Sequence, residues 1–181
     1  MSDMEVRIAD YNPQWIDCFV EQRDAVAEAL RPWLAAAVEH VGSTSVPGLP
    51  AKPIVDVLAP VADLDDREAM VEALSRRGWL YWPDDPHADS RLWFLRPDPA
   101  RRTHHLHVVA HGHPREQAVI AFRDALRRDR ELAAEYADLK ETLAREHRHD
   151  RDAYTNGKAS FVARVLAARG MPEAELGRLP E

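Results

Sequence analysis

The sequence predicts an α/β fold in which helices flank a mixed β-sheet and a helical group closes the chain. Segments 54–59 and 103–110 are rich in β-branched and apolar residues and are bounded by turn residues, as strands are. A helical period of apolar residues runs from Trp15 to Leu30, and only helical periods follow Pro114. The 181 residues fit one domain, assigned to 1–170, with 171–181 as a flexible C-terminal tail.

The first half of the chain alternates between strands and helices. Residues 5–8 resemble a short strand, and Asn12 and Pro13 then begin the first helix. Strands are predicted at 38–41 and 54–59, on either side of a turn, and a helix from 65 to about 77 ends at Gly78. Strands follow at 79–82 and 91–95. The strand at 103–110 is predicted to be central, with His105 and His107 on one face because strand side chains alternate.

The second half is predicted to contain three helices. Each has apolar residues at helical spacing, which indicates one buried face. These residues are Ala118, Phe122 and Leu126 in the first helix, Leu132, Tyr136, Leu139 and Leu143 in the second, and Tyr154, Phe161 and Val165 in the third.

Composition narrows the class of protein and its partners. Charged residues make up 30% of the chain and apolar residues 45%, as in ordinary globular proteins. The net charge of −7 argues against nucleic acid or an anionic membrane as a partner, because both attract basic surfaces. Cys18 is the single cysteine, and residues 1–10 lack the apolar core of a signal peptide. We therefore expect a cytoplasmic protein whose ligand is a small molecule or nucleotide.

The segment from His40 to Leu58 carries the strongest functional signal. Gly42 permits close backbone approach, and Ser43, Thr44 and Ser45 offer hydroxyl and N–H groups to an anion. Asp56 follows on an apolar strand, where its carboxylate is suited to binding a divalent cation. The alternative is a proline-rich surface turn before a core strand.

The pattern from His40 to Asp56, His-Val-Gly-Ser-Thr-x-Val-Pro-Gly-Leu-x-x-Lys-Pro-x-x-Asp, closely resembles the hallmark of the GrpB family. Similar segments continue at 91–94, 105–109, 121–127, 136–140 and 150–161, so the resemblance covers about residues 5–168. It implies a nucleotidyltransferase-like fold. In some bacteria a similar domain is fused behind dephospho-CoA kinase.

The resemblance also implies a departure from the usual nucleotidyltransferase metal site. Such enzymes pair two carboxylates two residues apart on one strand, where they hold metal ions that bridge the nucleotide's phosphates. Here Asp56 holds the first position and Leu58 the second. The metal site is therefore either rebuilt from other residues or lost.

A rebuilt site would recruit His105 and His107 beside Asp56 if their strands are neighbours. Magnesium and manganese are the expected cations, and zinc is a further candidate because imidazole suits it better than magnesium. One imidazole could instead act as a general base for an acceptor hydroxyl, because its pKa suits neutral pH. The remaining alternative is two structural histidines. We keep Asp56, His105 and His107 as both catalytic and metal-binding candidates.

Four further residues are candidates for binding phosphate or nucleotide. Lys52 follows the turn, and Arg91 is preferred over Arg96 because the two lie on opposite faces of their strand. Tyr154 and Lys158 are four residues apart, which would place them on one face of the last helix. Surface charge and an ordinary amphipathic helix are the alternatives.

Two functions follow from these observations. The first is metal-dependent transfer of a nucleotidyl group from a nucleoside triphosphate to a small-molecule acceptor. The alternative is a non-catalytic module with a degenerate metal site that binds a nucleotide or a CoA-type ligand or assists folding, an alternative that Leu58 favours. Association into a homo-oligomer stays open.

Overall fold

The computed structural model describes residues 5–172, which form a five-stranded sheet with helices on both faces. In chain order the elements are α1 (Gln14–Ala29), β1 (Glu39–Val41), a 3₁₀ turn (Ser43–Ser45), β2 (Val55–Val61), α2 (Arg67–Ser75), β3 (Leu80–Tyr81), β4 (Leu92–Arg96), β5 (His104–Ala110), α3 (Pro114–Arg128), α4 (Arg130–Glu146), α5 (Arg151–Asn156) and α6 (Ala159–Ala167). Within these residues, no helix is both long and apolar enough to cross a bilayer. The predicted α/β class is confirmed.

Several helices begin where side chains satisfy the first free backbone N–H groups. Asn12 Oδ1 accepts from the N–H of Gln14 at the start of α1. Asp129 caps α4 by accepting from the N–H of Leu132, and Asp150 caps α5 in the same way. Such caps stabilise a helix by about 1 kcal/mol each.

The sheet is mixed, with strand order β1-β2-β5-β4-β3. The pair β2 and β5 is parallel, and the other three pairs are antiparallel. The strand that carries His105 and His107 is therefore central, as predicted, and it adjoins the strand that carries Asp56. Asp56 is directly opposite His105 in the register.

The two faces of the sheet have different partners. Alternation places Val57 and Leu106 on the face covered by α1 and α2, where they join a large apolar core. Asp56, His105, His107 and Trp93 point to the other side, called here the Asp56 face. On that face Leu58 is buried against α3.

The C-terminal helices pack on one another through aromatic side chains. Tyr136 of α4 stacks on Phe161 of α6 with ring centroids 5.0 Å apart, and Phe122 of α3 meets Tyr136 edge-on at 5.1 Å. Such pairs contribute about 0.5–1.5 kcal/mol each beyond their buried area. This cluster fixes the helical group that closes the chain.

Two details differ from the sequence predictions, and one prediction is not tested. Residues 5–8 form no strand, and only an isolated bridge joins Ala9 to Ala51. The last predicted helix is two helices, α5 and α6, separated by Gly157 and Lys158. A Cβ on Gly157 would overlap the Leu143 side chain. Of the predicted tail, 173–181 lies outside the described residues.

Candidate functional site

The turn after β1 touches Asp56 directly. Val41 pairs with Asp56 across β1 and β2, so the next residue, Gly42, crosses over the carboxylate. Gly42 has φ 70° and ψ −176°, a conformation that is essentially restricted to glycine. A Cβ at this position would overlap Oδ2 of Asp56. The predicted convergence of small-residue turn and acid is therefore present, and glycine is required for it.

Hydrogen bonds inside the protein hold this turn in shape. Thr44 Oγ1 donates to the carbonyl of Ile54 at 3.2 Å, so it accepts from Nε2–H of His40 at 3.1 Å. His40 also stacks on Phe19 of α1, with ring centroids 4.7 Å apart. Burial lowers the pKa of His40 to about 4, so the ring is neutral at pH 7. His40 and Thr44 thus act as structural support.

The hydroxyl groups of the turn are unequal as candidates for ligand binding. Ser45 Oγ donates to the carbonyl of Gly42 at 2.6 Å, and the carbonyl of Ser45 accepts from Arg127 of α3. Of the three hydroxyl groups of the turn, those of Thr44 and Ser45 are engaged, and that of Ser43 makes no hydrogen bond within residues 5–172. The predicted anion contacts of this turn therefore rest on Ser43 and the backbone, while Thr44 and Ser45 shape it.

Asp56 lies against the two predicted histidines. His105 Nδ1 is 3.3 Å from Asp56 Oδ1, and His107 Nε2 is 3.8 Å from the same oxygen, which is longer than a hydrogen bond. Burial would raise the pKa of Asp56, but the neighbouring imidazoles outweigh it and hold this pKa well below its usual range. Burial lowers the pKa of His105 and brings that of His107 to about 4. At pH 7 the site is one carboxylate with two neutral imidazoles.

A buried ion pair fixes the orientation of His107. Asp85 accepts from Arg91 Nε at 2.6 Å and from Nη2 at 2.9 Å, and both residues are buried. Arg91 Nη1 lies 3.1 Å from His107 Nδ1. Because a guanidinium only donates, Nδ1 is the acceptor, and the proton of the neutral ring is on Nε2, facing Asp56.

The distances in this group suit a divalent cation. The ligand atoms of Asp56, His105 and His107 lie within 4.8 Å of one another. A cation with N and O ligands at about 2.0–2.2 Å holds neighbouring ligands roughly 3–4 Å apart, so Asp56 Oδ1 and His105 Nδ1 fit. His107 offers Nε2 to a cation only with its proton on Nδ1, which faces Arg91. Asp56 and His105 therefore fit a cation, and His107 joins them only when Arg91 moves away.

The predicted basic residues gather around one aromatic ring. The ring of Tyr154 is buried, Lys52 Nζ lies 4.7 Å from its centroid and Lys158 Nζ lies 5.0 Å from it. The prediction that Lys158 shares a helix with Tyr154 is wrong, because Lys158 directly precedes α6. The contact between Lys158 and the Tyr154 ring forms nevertheless. Arg151, one turn before Tyr154 on α5, lies close enough to His105 to lower its pKa.

The side chains of Arg91 and Leu58 are both engaged in contacts inside the protein, which bears on ligand and metal binding. Arg91 points to the Asp56 face, as predicted, but its guanidinium is committed to Asp85 and His107. Leu58 is 1% exposed and packs with Val41 and Val109, so the position of a second acid is filled by the core. Among residues 5–172, the group formed by Asp56, His105 and His107 is the only candidate cation cluster.

Sequence reasoning missed three residues of this region. Asp85 lies in a polar loop, and nothing in its spacing indicates that it folds back onto Arg91. Arg102 contacts Trp82 and Trp93, with its guanidinium carbon 5.6 Å from each ring centroid, and no spacing in the sequence pairs these residues. His40 supports the turn, a role that no motif in the sequence indicates, although strand alternation alone places its side chain on the face covered by α1.

Fold and site together define an α/β protein with one carboxylate and two imidazoles at the parallel strands of a mixed sheet. A family model described as GrpB protein matches residues 5–168, and the chain belongs to the GrpB family. The crystal structure of conserved protein GrpB from Enterococcus faecalis is similar, with a TM-score of 0.80 and 30% identity over 95% of this chain and 98% of that chain. The resemblance to this family in the sequence is confirmed.

Curated relatives carry several names. UPF0157 protein PA4798 of Pseudomonas aeruginosa is 39% identical over 91% of this chain and 67% of its own length. For UPF0157 protein YqkA of Bacillus subtilis the identity is 32%, over 87% of this chain but only 45% of the relative. A dephospho-CoA kinase of Mycolicibacterium paratuberculosis is 29% identical over 82% of this chain and 42% of its length. The chain thus spans less than half of two of these relatives.

Proposed function

We propose that the protein binds a nucleotide at the Asp56 face and transfers its nucleotidyl group to a small-molecule acceptor. The observation that carries this proposal is the position of Asp56, whose Oδ2 lies under Gly42 and whose Oδ1 faces two imidazoles. A turn that admits only glycine beside an ionised acid is suited to phosphate oxygens that share a cation with that acid.

The charges around the site support a phosphorylated ligand. Lys52 and Lys158 meet on the Tyr154 ring, and the charge of Arg151 reaches His105. Nucleotide phosphates bring several negative charges, which lysine and arginine neutralise.

Asp56 and His105 would hold the divalent cation, which supplies charge neutralisation at the phosphates. In the transfer, an acceptor oxygen bonds to the α-phosphorus, the bond from that phosphorus to the bridging oxygen of the β-phosphate breaks, and pyrophosphate leaves with the electron pair. The acceptor's proton passes to a base. His105 serves either as ligand or as base, because its Nδ1 faces the site while its Nε2 is buried.

The test is pyrophosphate release from labelled nucleoside triphosphates with magnesium, manganese or zinc, over a panel of small-molecule alcohols and phosphates. Asp56→Asn should abolish release, whereas Glu72→Gln, an exposed acid on α2, should leave it unchanged. His105→Ala separates the two roles, since bound metal falls if His105 is a ligand and stays if it is a base. Absence of nucleotide binding and of turnover with every metal would overturn the proposal.

A second candidate function is ligand binding without chemistry, as a nucleotide-binding, CoA-type ligand-binding or folding-accessory module. Two observations favour it: Leu58 fills the position of a second acid, and the contact with Arg91 keeps a proton on the nitrogen of His107 that faces Asp56. The similarity to part of a dephospho-CoA kinase is compatible with such a module.

A thermal-shift series distinguishes the two functions. Binding without chemistry predicts that ATP, CoA or dephospho-CoA raises the melting temperature equally with and without divalent metal, and that Asp56→Ala does not change this rise. Nucleotidyl transfer predicts that the rise with ATP requires metal and disappears in Asp56→Ala. Lys52→Gln should weaken the ligand effect under either function.

A further inference from the structure

A pair of tryptophans extends the Asp56 face beyond the two histidines. Trp93 is opposite His107 in the register of β4 and β5, and its ring centroid lies 5.2 Å from that of His105. The backbone N–H of Trp82 donates to the backbone carbonyl of Trp93, which places the two residues side by side. Both rings are partly exposed, and they meet edge-on at 6.2 Å.

These two rings hold the guanidinium of Arg102. Its central carbon lies 5.6 Å from each ring centroid, within the range of cation–π contacts. Arg102 Nε donates to the carbonyl of Pro99 at 3.0 Å. The terminal amino groups of Arg102 make no hydrogen bond within residues 5–172. The side chain is thus oriented by three contacts that leave its forked donors available.

Electrostatic interactions connect Arg102 with Arg151 and with His105. Burial lowers the pKa of Arg102 first, and the neighbouring Arg151 lowers it further. The ring of Trp93 contacts both Arg102 and His105, and the charge of Arg102 acts on His105, so Arg102 lies on the Asp56 face.

We propose that Arg102, oriented by Trp82 and Trp93, forms a phosphate-binding subsite beside Asp56. The planar guanidinium fork matches two oxygens of one phosphate, which an ammonium group does not. The subsite deepens the proposed function, because it gives the ligand or the acceptor a phosphate group that binds apart from Lys52 and Lys158. It rests on that function only for the identity of the ligand.

The test measures pyrophosphate binding to the full chain by calorimetry, without nucleotide or metal. Arg102→Gln should weaken binding by about tenfold or more, the loss expected when a charged fork is removed. Arg102→Lys, which keeps the charge, should also weaken it. The matched control is Arg101→Gln, which removes the same charge from an exposed neighbour that pairs with Asp98; it should change affinity by less than about twofold.

Trp82→Leu provides a second variant, which leaves Arg102 in place. It should weaken pyrophosphate binding because Arg102 loses one of its two rings. Equal losses in Arg101→Gln and Arg102→Gln would overturn the subsite, as would wild-type protein that binds no pyrophosphate at millimolar concentration. Unfolding midpoints close to that of the wild type exclude misfolding as the cause of any loss.

The subsite and the proposed function can fail separately. If ATP binds and Arg102→Gln leaves the affinities for ATP and pyrophosphate unchanged, the subsite is wrong and the function stands. If pyrophosphate binding depends on Arg102 while no nucleotide binds with any metal, the subsite stands and the function is wrong.

Discussion

Replacing Gly42 with alanine tests the contact on which the site depends. Two effects add in this variant. The backbone conformation, φ 70° with ψ −176°, costs a non-glycine residue about 1–3 kcal/mol. The new methyl group also overlaps Oδ2 of Asp56, so either the turn or the carboxylate must move.

The second effect has a magnitude that the structure allows us to estimate. Moving Asp56 breaks its contact with His105, and a hydrogen bond to a charged group is worth about 1.5–3 kcal/mol. Gly48→Ala is the matched control, because Gly48 has φ 80° and nothing within 4 Å of the added Cβ. Its backbone cost is about 1–2 kcal/mol. Gly42→Ala should therefore destabilise the protein by about 2 kcal/mol more than Gly48→Ala.

Urea unfolding followed by tryptophan fluorescence measures both variants, since the chain has five tryptophans. Asp56→Ala supplies the second arm of a double-mutant cycle. With the carboxylate removed, the overlap with Oδ2 disappears and only the 3.1 Å approach to the Cβ of residue 56 remains. Gly42→Ala should then cost little more than its backbone term. Equal losses for Gly42→Ala and Gly48→Ala, or a cycle without coupling, would refute the close contact between the turn and Asp56.

Three further predictions concern the supports of the site. Long-range ¹H–¹⁵N NMR at pH 7 should show His107 protonated at Nε2, because Nδ1 accepts from Arg91; a proton on Nδ1 would contradict this assignment. Asp85→Asn should destabilise the protein by about 3–5 kcal/mol in urea unfolding, because it breaks the buried ion pair with Arg91. Glu72→Gln, which breaks an exposed pair with Arg76, should cost at most about 1 kcal/mol. Burial lowers the pKa of His40 from 6.5 to about 4, so between these pH values the unfolded chain binds a proton that the native ring does not. The free energy of unfolding should therefore fall on acidification by about 1.4 kcal/mol per pH unit from this residue. A pH dependence of stability that is unchanged in His40→Gln would contradict this prediction.

Some features of the site could be predicted because they depend on neighbours in the chain. The spacing of His105 and His107 places them on one face of any strand, and Gly42 beside Ser43 indicates a tight turn whatever surrounds it. The order of the strands is not local information. Only the parallel pairing of β2 with β5 brings Asp56 opposite His105, and that pairing joins residues 49 positions apart in the chain.

Other residues took roles that no local pattern specifies. Thr44 has the same hydroxyl as any candidate phosphate ligand, but His40 and Ile54 engage it because strand β1 packs against α1. Arg91 looks like a free basic residue in the sequence. In the fold, the loop before β4 returns Asp85 to its guanidinium, which changes Arg91 from a ligand candidate into a residue that orients His107.

The sequence by itself determined the α/β class, the turn at Gly42, the lone acid at Asp56 and the shared face of the two histidines, because backbone preference and side-chain alternation act over a few residues. The tertiary structure alone decided which groups meet: Asp85 with Arg91, Lys52 and Lys158 on Tyr154, and Arg102 between two tryptophans. These contacts join residues that are distant in the chain, and packing of the helices on the sheet, not local preference, sets the distances between them.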